Sequence, residues 1–298
     1  MGTFWTPPCT ARQGRGVVDR DAAARYVLGR RTPDGGYSFY RTPLWGVEEP
    51  NAPDTLSALE SLRIVGVDIP DPHGTVGWLS SLQDPEGGFA TLTIGWAALR
   101  ALDVLGAEPP LSPEEWLHRV AETASRPDVE RSWRSALVDA LHLLELGGLA
   151  VAGRPLATSW VSSLLEEARE PDGGWARPGA DLATTAIATR LARLAHLDAG
   201  VQDAAALYVR RCEDASLGFR LSPDAAATSV GALCGGLTLL VSAGPSGRHL
   251  DAVAQQLVLL QGSDGGFAAR HRALSTLQDT WRGLEAARLL EKLSEEQT

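Results

Sequence analysis

The phrase Asp-Gly-Gly-aromatic is written into this chain several times, and its recurrence at a near-constant spacing restricts the fold more than any other property of the sequence. It reads PDGGY at 33–37, PEGGF at 85–89, PDGGW at 171–175 and SDGGF at 263–267, with a worn SLGF at 216–219. Measured at the glycine before the aromatic, the copies stand at Gly36, Gly88, Gly174, Gly218 and Gly266, separated by 52, 86, 44 and 48 residues. The doubled gap predicts a sixth, degenerate copy at RPDVERSW, 126–133, which keeps Pro-Asp and the aromatic but has lost its glycines. A period of about 45 residues belongs to a repeat architecture, in which one supersecondary unit buries its apolar face against the next.

Apolar spacing predicts a helix on each side of every turn. The first helices, over 19–31, 72–83, 111–125, 154–170, 199–213 and 248–261, are amphipathic, with no exposed apolar stripe evident on them. The second helices, over 53–66, 91–106, 133–147, 182–197, 225–243 and 277–294, are denser in Ala, Leu, Ile and Val and belong inside. No stretch alternates in the manner of a strand. The expected fold is therefore all-α, an (α/α)6 toroid of six helix-pair repeats over 19–298, preceded by an N-terminal extension, 1–18. The glycines supply left-handed turns, and the aromatics after them (Tyr37, Phe89, Trp175, Phe219, Phe267) are expected to pack between repeats.

The formal charge of -10 and pI near 5.1 argue against general affinity for nucleic acid or anionic membranes. Apolar runs such as 232–243 are broken by glycines and too short to span a bilayer. No secretory leader is read at the N-terminus, and three cysteines, Cys9, Cys212 and Cys234, suit a reducing cytoplasm.

The phrases LQDPEGGF and LQGSDGGF resemble the "QW" repeat of the terpenoid cyclase and protein prenyltransferase superfamily, which pairs a glutamine at an outer-helix end with glycine and an aromatic. The resemblance covers roughly 19–294 and implies the toroid fold. It also implies an activity of cyclase or transferase type. The motifs of the best-known reactions are not written here: there is no Asp-x-Asp-Asp, no Asp-Asp-x-x-Asp and no zinc set, since Thr228, Val230 and Asp279 stand where the zinc ligands are expected. No cofactor and no metal are expected.

In such a toroid the inner-helix N-termini converge on one mouth and favour anions. Arginines follow the Gly-aromatic repeatedly, and Arg41, Arg177, Arg220 and Arg270 are candidate clamps for a phosphate or carboxylate; the alternative is that they pair with Glu48, Asp181 or Asp224. Trp45, Trp96, Trp133 and Trp281 are candidate cavity aromatics, and the loop 39–55, which holds Glu49, is a candidate lid. Asp54 and Asp279 begin inner helices as Asp-Thr and read either as N-caps or as catalytic carboxylates. Asp139 and His142, three apart, are a candidate acid-base pair. Aligning the inner helices at Gly66, Gly106 and Gly147 places Glu60, Arg100, Arg190, Cys234 and Glu285 in one register, broken by Leu141. One turn later come Arg63, Asp103, Arg193 and Arg288. This polar ring reads as a salt-bridged plug or as a surface facing substrate.

The expected function is that of a small-molecule enzyme acting on an apolar or isoprenoid-like substrate with an anionic head. The alternatives are a non-catalytic binding protein and a protein-interaction subunit on the same scaffold.

Overall fold

The computed structural model describes residues 16–40, 48–125, 132–150, 159–197, 200–244 and 246–296. Within them the chain forms α1 (Arg20–Leu28), α2 (Ala52–Val65), α3 (Pro72–Ser80), α4 (Leu92–Val104), α5 (Glu114–Ala124) and α6 (Trp133–Ala150), then α7 (Ser159–Ala168), α8 (Leu182–Leu194), α9 (Val201–Cys212), α10 (Val230–Ala243), α11 (Leu250–Leu260) and α12 (Leu277–Glu296). The even-numbered helices are inner: α2 packs on α4, α4 on α6, α6 on α8, α8 on α10, α10 on α12, and α12 back on α2. The odd-numbered helices lie outside them, and the six-repeat toroid is the observed architecture. The expected first 15 residues of the N-terminal extension and the core of the degenerate copy, 126–131, lie outside the described residues, but that copy's flanking helices α5 and α6 are present.

Four of the turns are built alike. Gly35, Gly87, Gly173 and Gly265 take φ of 97°, 83°, 91° and 89°, a region closed to most side chains. The turn closes when the N–H of Thr32, Asp84, Glu170 or Gly262 donates to the carbonyl of Gly36, Gly88, Gly174 or Gly266, at 2.7–2.9 Å. The following aromatics are all buried, so their packing role holds. A threonine one turn into the inner helix fixes three of them: Thr55, Thr185 and Thr280 accept the backbone N–H of Tyr37 (2.9 Å), Trp175 (3.2 Å) and Phe267 (3.0 Å).

The glutamines of the repeat tie successive units together. Gln83 Nε2 donates to the Gly87 carbonyl of its own turn and the Leu111 carbonyl before α5, both at 2.8 Å, while its Oε1 accepts from Leu111 N at 3.0 Å. Gln261 does the same across the closing seam, donating to Gly265 O (3.0 Å) and Asp19 O (2.8 Å) and accepting from Asp19 N (2.9 Å). Gln83→Leu and Gln261→Leu are each expected to lower the unfolding free energy by about 1–2 kcal/mol in urea titrations. A ring open at the seam in solution would leave Gln261→Leu without effect.

Three details differ from expectation. Two short antiparallel hairpins occur, β1 (Glu213–Asp214) with β2 (Gly218–Phe219) and β3 (Phe267–Ala268) with β4 (Ser275–Thr276). The fifth inner helix begins at Val230 rather than 225, because the preceding residues are held in the loop, where Leu221 N donates to Ala227 O at 3.0 Å, and Val230 N donates across to Ala269 O of the next repeat at 3.1 Å. The outer helices are not free of exposed apolar side chains: Leu207 on α9 and Val258 and Leu259 on α11 are 68%, 56% and 53% exposed.

Candidate functional site

All six inner helices start at one end of the ring, and each start is capped by a side-chain oxygen. Asn51, Thr91, Ser132, Asp181, Ser229 and Thr276 accept the backbone N–H of Asp54, Ile94, Ser135, Thr184, Ala232 and Asp279. Asp54 and Asp279 are therefore not the caps expected of them; they sit three residues in, because the helices begin earlier than the Asp-Thr pairs suggest. Their carboxylates reach back to the side chains of their own caps. Asp54 Oδ2 accepts from Asn51 Nδ2 (2.8 Å) and from Phe39 N (3.0 Å), and Asp279 Oδ2 accepts from Thr276 Oγ1 (2.9 Å) while its Oδ1 lies 3.5 Å from Arg282. Both are buried among donors, as acceptors that organise the rim.

The expected arginine clamp divides. Arg177 pairs with Glu170 at 3.7 Å, and Arg220 pairs with Asp214 through Nε (3.0 Å) and a terminal nitrogen (2.7 Å). Arg220 holds Asp214 well below the usual carboxylate range, to about 2, with help from the N–H groups of Ser216 and Leu217. Neither arginine uses the acids anticipated from the sequence; Asp181 instead takes Arg134. Arg270 and its neighbour Arg272 are exposed and make no ion pair or side-chain hydrogen bond among the described residues. Arg41 and Trp45 lie outside the described residues. Glu49 is exposed, and Trp133 and Trp281 are half-buried.

The inside of the ring is marked by packing. Gly236 and Gly283 lie against the rings of Phe219 and Phe267, on the sides of α10 and α12 that face outward. At 100° per residue, positions two before and two after each glycine point the opposite way. These are Cys234 and Thr238 on α10 and Trp281 and Glu285 on α12, all partly exposed. On α4 and α8 the matching stripe is Trp96 and Arg100, partly exposed, and Ala186 and Arg190, partly exposed and exposed.

The polar ring resolves into ion pairs. Glu60, buried, is shared by Arg63 (2.7 Å) and Arg100 (3.6 Å), Arg100 also approaches Asp103 (3.5 Å), and Glu285 takes Arg288 at 2.6 Å. Burial, with the Glu285 charge adding to it, pushes the Cys234 thiol up to about 12, so it is no nucleophile at neutral pH. The third inner helix, which Leu141 left blank in the alignment, contributes Glu145 one turn on. Glu145 Oε1 takes Arg190 at 2.7 Å, and Oε2 accepts the indole N–H of Trp96 at 2.7 Å. Sequence reasoning missed Glu145, although it lies on the same face as His142, three residues away.

His142 belongs to this cluster and not to Asp139. Its ring stacks on Trp96, with centroids 4.0 Å apart and planes 13° from parallel. Burial lowers its pKa to about 4, and its Nδ1 has no hydrogen-bond partner. Asp139 instead lines a pocket of about 260 Å³ between α4, α5 and α6 with Leu92, Trp116, Arg119 and Val120. A second pocket, of about 350 Å³, lies over Trp175 with Arg169 and His196. Among the described residues no three His, Cys, Asp or Glu side chains converge as a metal site. No described helix is long and apolar enough to cross a membrane.

The model of the prenyltransferase alpha-alpha toroid domain matches residues 11–106 and 135–291. The chain is 31% identical over 222 residues to a drimenyl diphosphate synthase of Streptomyces showdoensis, an alignment covering 66% of this chain and 40% of the relative. It is 28% identical over 232 residues to a drimenyl diphosphate synthase of Streptantibioticus cattleyicolor, covering 69% of this chain and 42% of the relative. The chain thus spans about 40% of the length of the curated relatives it matches.

Proposed function

Because the chain belongs to the prenyltransferase alpha-alpha toroid domain family, we propose that it is an enzyme of terpenoid-cyclase type that takes an isoprenyl diphosphate into its ring. The observation that carries this reading is the likeness to two proteins whose name gives a terpenoid diphosphate as product. The geometry supports it at both ends of such a substrate. Arg270 and Arg272 offer exposed guanidinium groups, without an ion pair among the described residues, beside the inner-helix N-termini, where a diphosphate is favoured. Trp281 and Trp96 stand along the inner stripe, with faces that stabilise a cation without attacking it. The ion-paired ring of Glu60, Arg100, Glu145, Arg190 and Glu285 closes the lower end. Asp54 and Asp279 hold the rim in place, and His142, neutral at physiological pH, adds no competing charge near Trp96. A cytoplasmic setting is part of this reading.

One observation favours the non-catalytic alternative. Asp54 and Asp279, the candidate carboxylates at the mouth, accept hydrogen bonds from the side chains of their own helix caps, and no Asp-x-Asp-Asp is written to start a protonation. A ligand-binding ring without turnover fits that fact.

Thermal unfolding tests the binding step common to both. An isoprenyl diphosphate present at a hundred times its dissociation constant stabilises by about 3 kcal/mol, on the order of 5 °C in Tm. The matching isoprenol is expected to give much less. Arg270→Ala with Arg272→Ala is expected to abolish the difference and leave the unliganded Tm unchanged, since both side chains are exposed and neither has a partner to lose among the described residues. Equal shifts with alcohol and diphosphate would remove the clamp, and product analysis with the same diphosphates separates enzyme from binder.

A further inference from the structure

We propose that Glu145 is a positioning residue that acts through Trp96, fixing the indole in one orientation and strengthening its pull on a cation inside the ring. The inference rests on the terpenoid-cyclase reading, to which it adds a residue that no motif announces.

The side chain of Glu145 is only 6% exposed, and each of its oxygens is engaged by a different neighbouring helix. Oε2 accepts the Trp96 indole N–H from α4 at 2.7 Å, and Oε1 takes Arg190 from α8 at 2.7 Å. His142, one turn before Glu145 on α6, stacks on the same indole, with centroids 4.0 Å apart and planes 13° from parallel. An edge held by a short charge-assisted bond and a face covered by a second ring leave the indole one orientation and one free face. Trp96 stays partly exposed on the inner side of α4, about 7 Å along the helix from the Thr91 cap.

An indole N–H needs only an acceptor, and for Trp175 a backbone carbonyl suffices: its Nε1 donates to Leu165 O at 2.9 Å. A buried carboxylate in that place does more. It polarises the N–H, and the electron density moved into the ring strengthens the attraction of its face for a cation. The bond to Arg190 balances the negative charge, and with both oxygens engaged the carboxylate acts through the ring instead of standing free to capture a cation as a nucleophile. Arg100, one turn below Trp96 on α4, is no bare opposing charge, since Glu60 lies 3.6 Å and Asp103 3.5 Å from it. His142 is neutral at physiological pH and brings no charge of its own. A plug would need Glu145 to meet Arg190 and nothing more. Its bond to Trp96 is what a purely structural ion pair leaves unexplained.

Two probes of one shape test the proposal without turnover: a geranyl chain ending in trimethylammonium and the same chain ending in tert-butyl. Calorimetric titration gives the ratio of their dissociation constants, which a change in cavity shape leaves alone because it weakens both. The unaltered protein is expected to favour the ammonium about tenfold. Glu145→Gln still offers an oxygen to the indole but no charge, and is expected to lower that preference to about threefold. Glu145→Asp, one methylene shorter, withdraws from the indole; it is expected to do the same and serves if the glutamine variant does not fold. In a Trp96→Phe background neither substitution is expected to lower the ratio further, because the group through which Glu145 acts is gone. An unchanged ratio in the Glu145 variants overturns the proposal. So does a further fall in the Trp96→Phe background, which would mean that the carboxylate attracts the cation directly. An unaltered protein without preference removes Trp96 from the proposed function and this inference with it, whereas the response of Tm to isoprenyl diphosphates tests that function independently of Glu145.

Discussion

Gly265→Ala is expected to unfold the protein or to leave it with a stability several kcal/mol lower, the largest effect of any single methyl group in the chain. An ideal Cβ at Gly265 falls 2.2 Å from the Ala22 carbonyl oxygen and 2.5 Å from its carbon, both backbone atoms of α1 that cannot step aside alone. The φ of 89° adds a conformational penalty of about 1–2 kcal/mol. Relief requires α1 to withdraw, which breaks the bonds from Gln261 to Asp19 and from Tyr26 to Ser275 that join the first repeat to the last. Gly66→Ala isolates the conformational part: its φ is 71°, but a Cβ there meets nothing within 4 Å. That variant should lose only about 1–2 kcal/mol in urea denaturation. Equal losses for the two would mean that the seam does not close as described.

The same geometry explains what was readable beforehand. Five of six turns require glycine at a left-handed position against the neighbouring helix, so the repeat is spelled out at residues that nothing else replaces. The third turn has no such spelling. The register drawn through Gly147 placed Leu141 correctly, nine residues after the Ser132 cap as Glu60 is after Asn51, and the carboxylate of α6 was missed because Glu145 lies one turn further on. The caps were misread for a different reason. Asn51-Ala-Pro-Asp54 contains two capping residue types, and the proline at 53 marks the first turn of a helix already under way, leaving Asn51 as the cap. Asp139 and His142 sit 60° apart around α6. That is close enough to suggest a pair and far enough that one turns to α5 and the other to Trp96 on α4. Arginine pairing was illegible because Arg220 meets Asp214 across a hairpin that no alternating pattern announces.

Stability is expected to fall as the pH drops from about 6.5 to 4, and His142→Phe is expected to remove much of that fall. The His142 pKa is lowered to about 4 by burial, against 6.5 in an exposed chain. Between those values the unfolded chain binds a proton that the native protein refuses, so the unfolded state gains on acidification. The stability attached to this group is complete above about 6.5 and is lost by the time the pH reaches 4. At 1.36 kcal/mol per unit, a difference of two and a half units corresponds to about 3 kcal/mol. Asp214, held at about 2 by Arg220, titrates below this window and does not mimic the effect. Phenylalanine keeps an aromatic ring against Trp96 and removes a buried nitrogen that has no partner, so the variant should be no less stable at neutral pH. Urea titrations of the two proteins at intervals from pH 7 to 4 should diverge, with the unaltered protein falling further by about 3 kcal/mol. Parallel curves would mean that the imidazole takes up its proton in the native state, which requires water or a charge to reach it behind the indole of Trp96.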